Sequence, residues 1–277
     1  MTRPLILITN DDGIQALGIK HLWDAIRDFA DVFIVAPYSE KSGSGLSITW
    51  AKPLDISEYT WEDSTPAWTV NDGTPADCVK MALSVLLSQK PHLIISGVNR
   101  GSNAGRTVLY SGTVGGVIEG VLRNIPGIAF SFFDFDFPAL GTAKSYISSI
   151  VKYFLEFPLP PGSLANVNFP ARYEKEGVKG IRMARQGRGY WVEKPDRRRH
   201  PGGSFYYYWL GGQWSKHEEE PDSDIALLKD GYITVAPIHV GDLTDRQLME
   251  KHLDSIQKII PDNSAIPMAA GSMQDKG

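Results

Sequence analysis

Asn10-Asp11-Asp12-Gly13 sets two adjacent carboxylates in a turn-forming cluster directly after an apolar run, Leu5 to Thr9. Neighbouring acids repel and lose hydration unless a cation neutralises them, and their hard oxygens suit magnesium or manganese better than zinc. The same residue types are ordinary turn formers, so a solvated turn is the competing reading. Three further segments carry donors of matching character. Glu40-Lys41-Ser42-Gly43-Ser44-Gly45 combines glycines, which let a backbone approach a ligand, with hydroxyls at Ser42 and Ser44 that can ligate a hard metal or bond a phosphate; it also reads as a plain loop. Ser96 to Gly105 offers Asn99 and Asn103, each with a neutral oxygen and an amide donor, and Arg100, which either pairs with an anion or points at water. Tyr110-Ser111-Gly112-Thr113-Val114-Gly115-Gly116 reads as a helix opening whose free amides can hold an anion, with Ser111 or Thr113 equally able to be its cap. None of the four is decisive alone; their convergence points to a metal–phosphate site.

That convergence requires elements that bring the four segments to one edge. Leu5 to Thr9 suits a buried strand, Leu17 to Phe29 has helical spacing of apolar residues, and Val32 to Ala36 is a second strand stopped by Pro37. This β-α-β order implies a right-handed crossover in a parallel sheet. Thr74-Pro75 opens a helix to about Leu87, His92 to Ser96 is a strand, and Ser111 to Arg123 a helix. A strand over Gly127 to Phe132 and a helix over Thr142 to Phe157 continue the alternation. The pattern predicts a Rossmann-like, three-layer α/β/α doubly wound sheet, in which ligands bind beyond the carboxyl ends of the strands. Residues 180–216 mix arginines with aromatics and glycines and read as hairpins. Tyr232 to Val240 is a strand, and Asp242-Leu243-Thr244 caps a helix from Asp245 to Ile259. One domain over 1–260 is expected, with 180–216 and 242–260 as arm elements and 261–277 as a loose tail.

With 277 residues, 42% hydrophobic and 22% charged, the chain can bury a sizeable core. A net charge of −4 excludes a global basic field, so no stable nucleic-acid complex is expected and a phosphate must be held locally. The single cysteine, Cys78, excludes an internal disulfide and a cysteine zinc cluster. No run approaches the roughly 18 apolar residues of a spanning helix, and the apolar N-terminal run is too short for a secretory leader. A cytoplasmic protein without a membrane association is the expectation.

The ordered segments NDDGI, KSG, GTPADCV, SGVNRGSNAG and YSGTVGGVIEG resemble the SurE family, and LANVNFP (164–170) and GYITVAPIHVGDLT (231–244) extend the likeness across most of the chain. The resemblance implies a divalent-metal-dependent 5′/3′-nucleotidase acting on nucleoside monophosphates, built as a homodimer or homotetramer through a C-terminal hairpin and arm. It implies Asp11, Asp12, Ser42 and Asn99 as ligands of one Mg2+ or Mn2+ per subunit, with Asp11, Asp12 and Asn99 carrying the catalysis. Asn103, Ser111, Gly112 and Thr113 would line the phosphate, joined by Ser44; Gly73, Thr74 and Asp77 would shape the pocket wall. Two positions depart from the family pattern: Gly115-Gly116, expected to loosen its helix, and Arg106, expected to alter substrate preference. Ser223-Asp224 fits it.

The expected chemistry is in-line attack on phosphorus by an activated water, with the amides and hydroxyls of Ser111 to Val114 facing the equatorial oxygens. An aspartyl-phosphate route is disfavoured because its acids are usually separated by one position. A receiver-like domain would be about half this length. A nucleotide-binding regulator without turnover is the alternative. The six histidines read as structural or surface groups, His239 being the one nearest a core strand end. The arginines between Arg182 and Arg199 read as a solvated or intersubunit face in preference to a phosphate or RNA contact.

Overall fold

A computed structural model describes residues 3–133, 141–171, 177–215 and 217–257. The chain divides into a unit over Met1–Gly241 and a second over Asp242–Gly277. In the first, β1 (Leu5–Thr9), β2 (Asp31–Pro37), β3 (Asp55–Glu58), β4 (Ala67–Asn71), β5 (Leu93–Arg100), β6 (Gly127–Phe132), β7 (Ser163–Phe169), β8 (Ile181–Met183) and β13 (Ile233–His239) form one sheet in the order β3-β4-β2-β1-β5-β6-β7-β13-β8. The six strands from β4 to β7 in that order run parallel; β3 and β13 are antiparallel to their neighbours β4 and β7. From β1 the chain adds strands first on the β2 side and later on the β5 side, so the switch point lies between β1 and β5. A crevice at their carboxyl ends follows from that topology.

Side chains alternate across the sheet because successive residues of a strand point to opposite faces. Ile6 and Ile8 of β1, Ile34 of β2 and Ile95 of β5 pack with α1 (Leu17–Ile26) and α4 (Gly141–Glu156). Leu7, Val35 and Ile94 face the other side, where Cys78 and Val79 of α2 (Pro75–Met81) cover them. Beside α2, Val114 and Val117 of α3 (Gly112–Val121) pack on Ala129 and Leu164. Cys78 is fully buried packing.

Thr74 caps α2 as its residue type predicts. Its Oγ1 accepts from Asp77 N at 3.1 Å and Asp77 Oδ2 accepts from Thr74 N at 3.0 Å, a reciprocal pair that satisfies two orphan amides. Beyond Met81 the helix widens into a π turn over Ala82–Leu86. The strand expected to stop at Ser96 instead continues to Arg100. Its pairing with β6 shifts register between Ser96 and Asn99, around the cis Gly97–Val98 peptide, and Asn99 and Arg100 resume the ladder opposite Ser131 and Phe132. Asn99 therefore sits on a strand rather than a loop.

The 180–216 segment forms the expected hairpins. Short strands β9 (Trp191–Val192) and β12 (Gln213–Trp214) pair, as do β10 (Asp196–Arg199) and β11 (Tyr206–Trp209), while β8 joins the main sheet. The arginines here are engaged locally: Arg185 with Asp222 at 2.8 Å, Arg198 with Asp196 at 2.7 Å, Arg197 over the Tyr206 ring. α5 (Asp224–Lys229) follows, capped by Ser223. In the second unit α6 (Arg246–Gln257) is capped by Asp245, whose Oδ1 accepts from Leu248 N at 2.9 Å; Asp242 lies too far upstream to cap it and instead pairs with Arg246. Ile259 and the tail 261–277 fall outside the described residues.

Gly18, in the first turn of α1, has a space that a methyl group would not share: a Cβ there would lie 2.0 Å from Val98 O. Alanine is the better helix former by about 1 kcal/mol, yet overpacking costs ~1–3 kcal/mol. Gly18→Ala is expected to lower the urea midpoint; a raised midpoint would show that the α1–β5 approach is not tight.

Candidate functional site

Asp11 and Asp12 follow β1 directly, at the switch point. Asn10 shapes the turn by closing on Gly13 in both directions: Asn10 Nδ2 donates to Gly13 O at 2.8 Å, and Gly13 N to Asn10 Oδ1 at 3.2 Å. The solvated-turn reading fails on burial. Asp11 is 3% exposed, and the Asp12 side chain is equally covered. Burial pushes the Asp11 carboxyl up to about 6, against the hydroxyl and backbone N–H of Thr113, which favour its charged form. Thr113 Oγ1 donates to Asp11 Oδ1 at 2.6 Å. Burial also raises Asp12, with the Arg100 guanidinium at 3.6 Å pulling the other way.

The opening of α3 lies against this pair. A Cβ on Gly112 would sit 2.8 Å from Asp11 Cβ and 2.7 Å from Ser44 Oγ, so only glycine lets helix, acid and serine loop meet. Ser111 is the cap, accepting from Val114 N at 3.1 Å, and it also lines the cleft. The 41–46 loop is held by Lys41 N to Asp11 O at 2.7 Å and Gly45 N to Tyr110 O at 3.0 Å. Gly115 and Gly116, expected to loosen α3, do the opposite: a Cβ on Gly115 would reach 2.1 Å from Gly45 O, and one on Gly116 3.0 Å from the Thr9 side chain. They are contact surfaces for the loop and β1.

Ser42 donates to Glu40 Oε1 at 2.7 Å at the cleft wall. Asn99 commits its Nδ2 to Gly101 O at 2.8 Å, which leaves its Oδ1 outside those bonds. Asp12 Oδ2 and Ser44 Oγ are buried without a hydrogen-bond partner. Buried acceptors of this kind are costly, and two carboxylates with neutral hydroxyl and amide oxygens form a donor set suited to a hard divalent cation. Among the described residues no group of three or more His, Cys, Asp or Glu is arranged to hold a metal ion, so the candidate set rests on two carboxylates with neutral oxygens.

Other expected site residues divide between the cleft, which Asn103 lines, and its surroundings. Thr113 is fully buried with its hydroxyl on Asp11, so it positions the acid. Asn103 donates Nδ2 to Ser131 Oγ at 2.8 Å, and its backbone is held by Asn168 and Asn166 of β7. Gly73, Thr74 and Asp77 stand off the cleft; Thr74 and Asp77 fasten the 47–49 loop segment through Ser47 O and Thr49 N. Arg106 is exposed over the Tyr190 ring rather than in the cleft. Arg100 reaches Asp12 and Glu40, not water alone. Among the described residues the cleft lining holds no histidine: at the surface, His92 Nδ1 accepts from Leu5 N, and His239 meets Ser163 Oγ at 3.0 Å.

From this polar end a cleft of about 570 Å3 runs to an apolar wall. Tyr110, Phe133, Trp191, Trp214, Ile225 and Leu228 line it, with Trp191 and Trp214 edge to face at 5.4 Å. The tryptophans arrive on the β9/β12 hairpin, and their contribution has no local signal in the sequence. Asn166 and Asn168 did have one: two asparagines two apart in an apolar strand share a face and need buried partners.

A carboxyl whose folded pKa is raised binds protons more readily folded than unfolded. The metal-free protein is therefore destabilised by Asp11 as pH rises from about 4 through about 6, by a limit of about 3 kcal/mol. In chelator at pH 8, Asp11→Asn is expected to raise the unfolding free energy by about 1–3 kcal/mol, an advantage that vanishes at pH 4. An unchanged or lower stability at pH 8 would contradict the strain.

The family described as Survival protein SurE matches residues 6–193. A protein of Protochlamydia amoebophila named 5′-nucleotidase SurE is 50% identical over 251 residues, spanning 90% of this chain and 95% of that one. A Flavobacterium psychrophilum protein of the same name is 43% identical over 239 residues, covering 86% and 92%. The crystal structure of SurE protein from Aquifex aeolicus superposes with a TM-score of 0.75 at 36% identity, over 92% of this chain and 99% of that one. With the acid pair, the glycine-opened helix and the 96–105 segment gathered at one switch point, the chain belongs to the SurE family.

Proposed function

We propose that this protein is a divalent-metal-dependent phosphomonoesterase that hydrolyses nucleoside 5′- or 3′-monophosphates to nucleoside and phosphate. The observation that carries the reading is the buried pair Asp11–Asp12 at the opening of α3, with Asp12 Oδ2 lacking a partner. The name 5′-nucleotidase borne by the relatives supports it.

Asp11, Asp12, Ser42 and Asn99 would hold one Mg2+ or Mn2+ per subunit. Such a cation, when bound, offsets charge on a phosphoryl oxygen and eases ionisation of a water beside it. Asp12 would orient the attacking water, a role supported by its partnerless Oδ2. Asn99 offers its Oδ1 next to it. Ser44 Oγ, Ser111 and the free amides at Gly112 face the phosphate oxygens and favour the added charge of the transition state. Thr113 holds Asp11 from behind, and Asn103, fixed by its bond to Ser131, lines the cleft on the phosphate side of this scheme. The aromatic wall takes the nucleoside and excludes water from it.

A homo-oligomer is part of the reading. Phe205, Tyr206, Tyr208, Trp209 and Leu210 are exposed on and around the β10/β11 hairpin, and this much exposed aromatic surface on both faces of the hairpin suits a second copy. Among the described residues no helix is long and apolar enough to cross a membrane. The single cysteine, free and buried, suits a reducing compartment such as the cytoplasm.

Phosphate release from a panel of 5′- and 3′-nucleoside monophosphates should require Mg2+ or Mn2+, stop in chelator, and fall by at least about 100-fold in Asp12→Asn. No release from any nucleotide by folded protein would replace this reading with a binding regulator. Sedimentation should give a mass above one 30.6 kDa chain, moving toward the monomer in the double variant Tyr208→Lys, Trp209→Lys; an unaltered mass would place the interface elsewhere.

A further inference from the structure

Asp224 is a fully buried carboxylate that the hydrolytic scheme leaves unused. Its two oxygens collect three backbone amides from three segments. Oδ2 accepts from Gly105 N at 3.0 Å, in the segment that carries Asn103. Oδ1 accepts from Gly187 N at 2.8 Å, in the strap leading to Trp191, and from Ile225 N at 2.8 Å, in the first turn of α5. Each segment then supplies one part of the cleft: Ala104 and Thr107, Trp191, and Ile225 with Leu228.

The packing around this carboxylate leaves no slack. A Cβ on Gly105 would lie 2.4 Å from Gly189 O, and one on Gly187 2.8 Å from Asp224 Oδ1. Neighbouring bonds run the same way: Arg106 N donates to Gly189 O at 2.8 Å, Gln186 Nε2 to Gly105 O at 2.6 Å, and Gly189 N to Glu219 Oε1 at 2.7 Å. Among the described residues no other side chain is seen to hydrogen-bond to all three segments. The Ile225 side chain adds apolar contact against the same glycines, its Cδ1 2.7 Å from a Cβ built on Gly105 and 2.8 Å from one on Gly187. The cations of these elements are turned elsewhere: Arg185 pairs with Asp222, Arg106 lies over Tyr190, and Lys229 lines the cleft at the far end of α5. Arg188 follows Gly187 on the strap, where Glu219 accepts its backbone N–H. Glu219, of like sign, is the charged group acting on Asp224. Burial pushes the carboxyl up to about 6 against the three amides, so its charged form rests on those amides alone.

We propose that Asp224 is a positioning residue for the nucleoside half of the substrate: it clamps the 101–107 segment, the 185–190 strap and α5 into one wall, and so governs KM without touching the substrate. The kinetic part of this inference rests on the nucleotidase reading; the structural part does not. Asparagine at this position would turn one acceptor oxygen into a donor facing an amide, which breaks the clamp while keeping the volume.

Hydrogen exchange on the full chain tests the clamp directly. Asp224→Asn should speed exchange at Gly105, Gly187 and Ile225 by about tenfold or more, with β1 and β5 unchanged. The same amides of the unaltered protein should loosen as pH is lowered through about 6, after correction for intrinsic rates. That measurement stands even if the variant fails to fold. On activity, KM for a nucleoside monophosphate should rise about tenfold with kcat within about twofold, while phenyl phosphate, which lacks a nucleoside, keeps its KM. Unchanged exchange at those three amides in the variant, or in the unaltered protein across that pH range, would overturn the clamp. Equal losses on both substrates would overturn its assignment to the nucleoside. Absence of phosphate release from the unaltered protein would instead count against the nucleotidase reading, with the exchange result still decisive for the clamp.

Discussion

Asp11 is a carboxylate buried at the end of the central strand, and the architecture around it follows from making that tolerable. An ionised acid removed from water needs donors or a cation close by. β1 delivers it to the switch point, where neighbouring loops diverge and leave a crevice. α3 brings the Thr113 hydroxyl and amide, and can approach only because residue 112 is glycine. The 41–46 loop then closes over both through backbone bonds to Asp11 and Tyr110. The raised pKa shows that these donors do not fully offset the cost of burying its charge.

The second buried carboxylate, Asp224, follows the same physics to a different end. Three backbone amides rather than a hydroxyl and a helix opening satisfy it, and what it organises is a wall rather than a reaction centre. The cleft thus has a hard, oxygen-rich end set by strand order and an apolar end set by hairpins and α5. This division suits a substrate with a charged phosphate on one side and a flat, weakly polar group on the other. Stiffness at the polar end comes from β5, whose register shift returns Asn99 to the ladder instead of leaving it on a mobile loop.

Much of the core was legible because its signals are local. Apolar runs of strand length, helical spacing over Leu17 to Phe29, and the Thr74-Pro75 start each report their own element. β3 and β4 escaped notice because one is an exposed edge strand and the other a short run between turns. β5 ran past its predicted end because glycine at 97, with φ of 117°, permits a bulge that resembles a chain break in sequence. At the site, Asp11, Asp12, Ser42, Ser44, Asn99 and Ser111 were identifiable from residue type at strand ends and a helix start. Thr113 and Asn103 were identifiable as members, but not in the roles of holding Asp11 and pairing with Ser131.

What the sequence determined by itself was therefore the α/β alternation, the acid pair at the first strand end and the glycine-rich helix opening, since each depends on neighbours a few residues apart. Tertiary structure alone decided how deeply the acids are buried, why residues 112, 115 and 116 are glycine, that Trp191 and Trp214 line the same cleft as Asn103, and that Asp224 braces its wall. Those facts depend on atoms that the chain separates by tens of residues, and distances of that kind exist only after the sheet has ordered its strands.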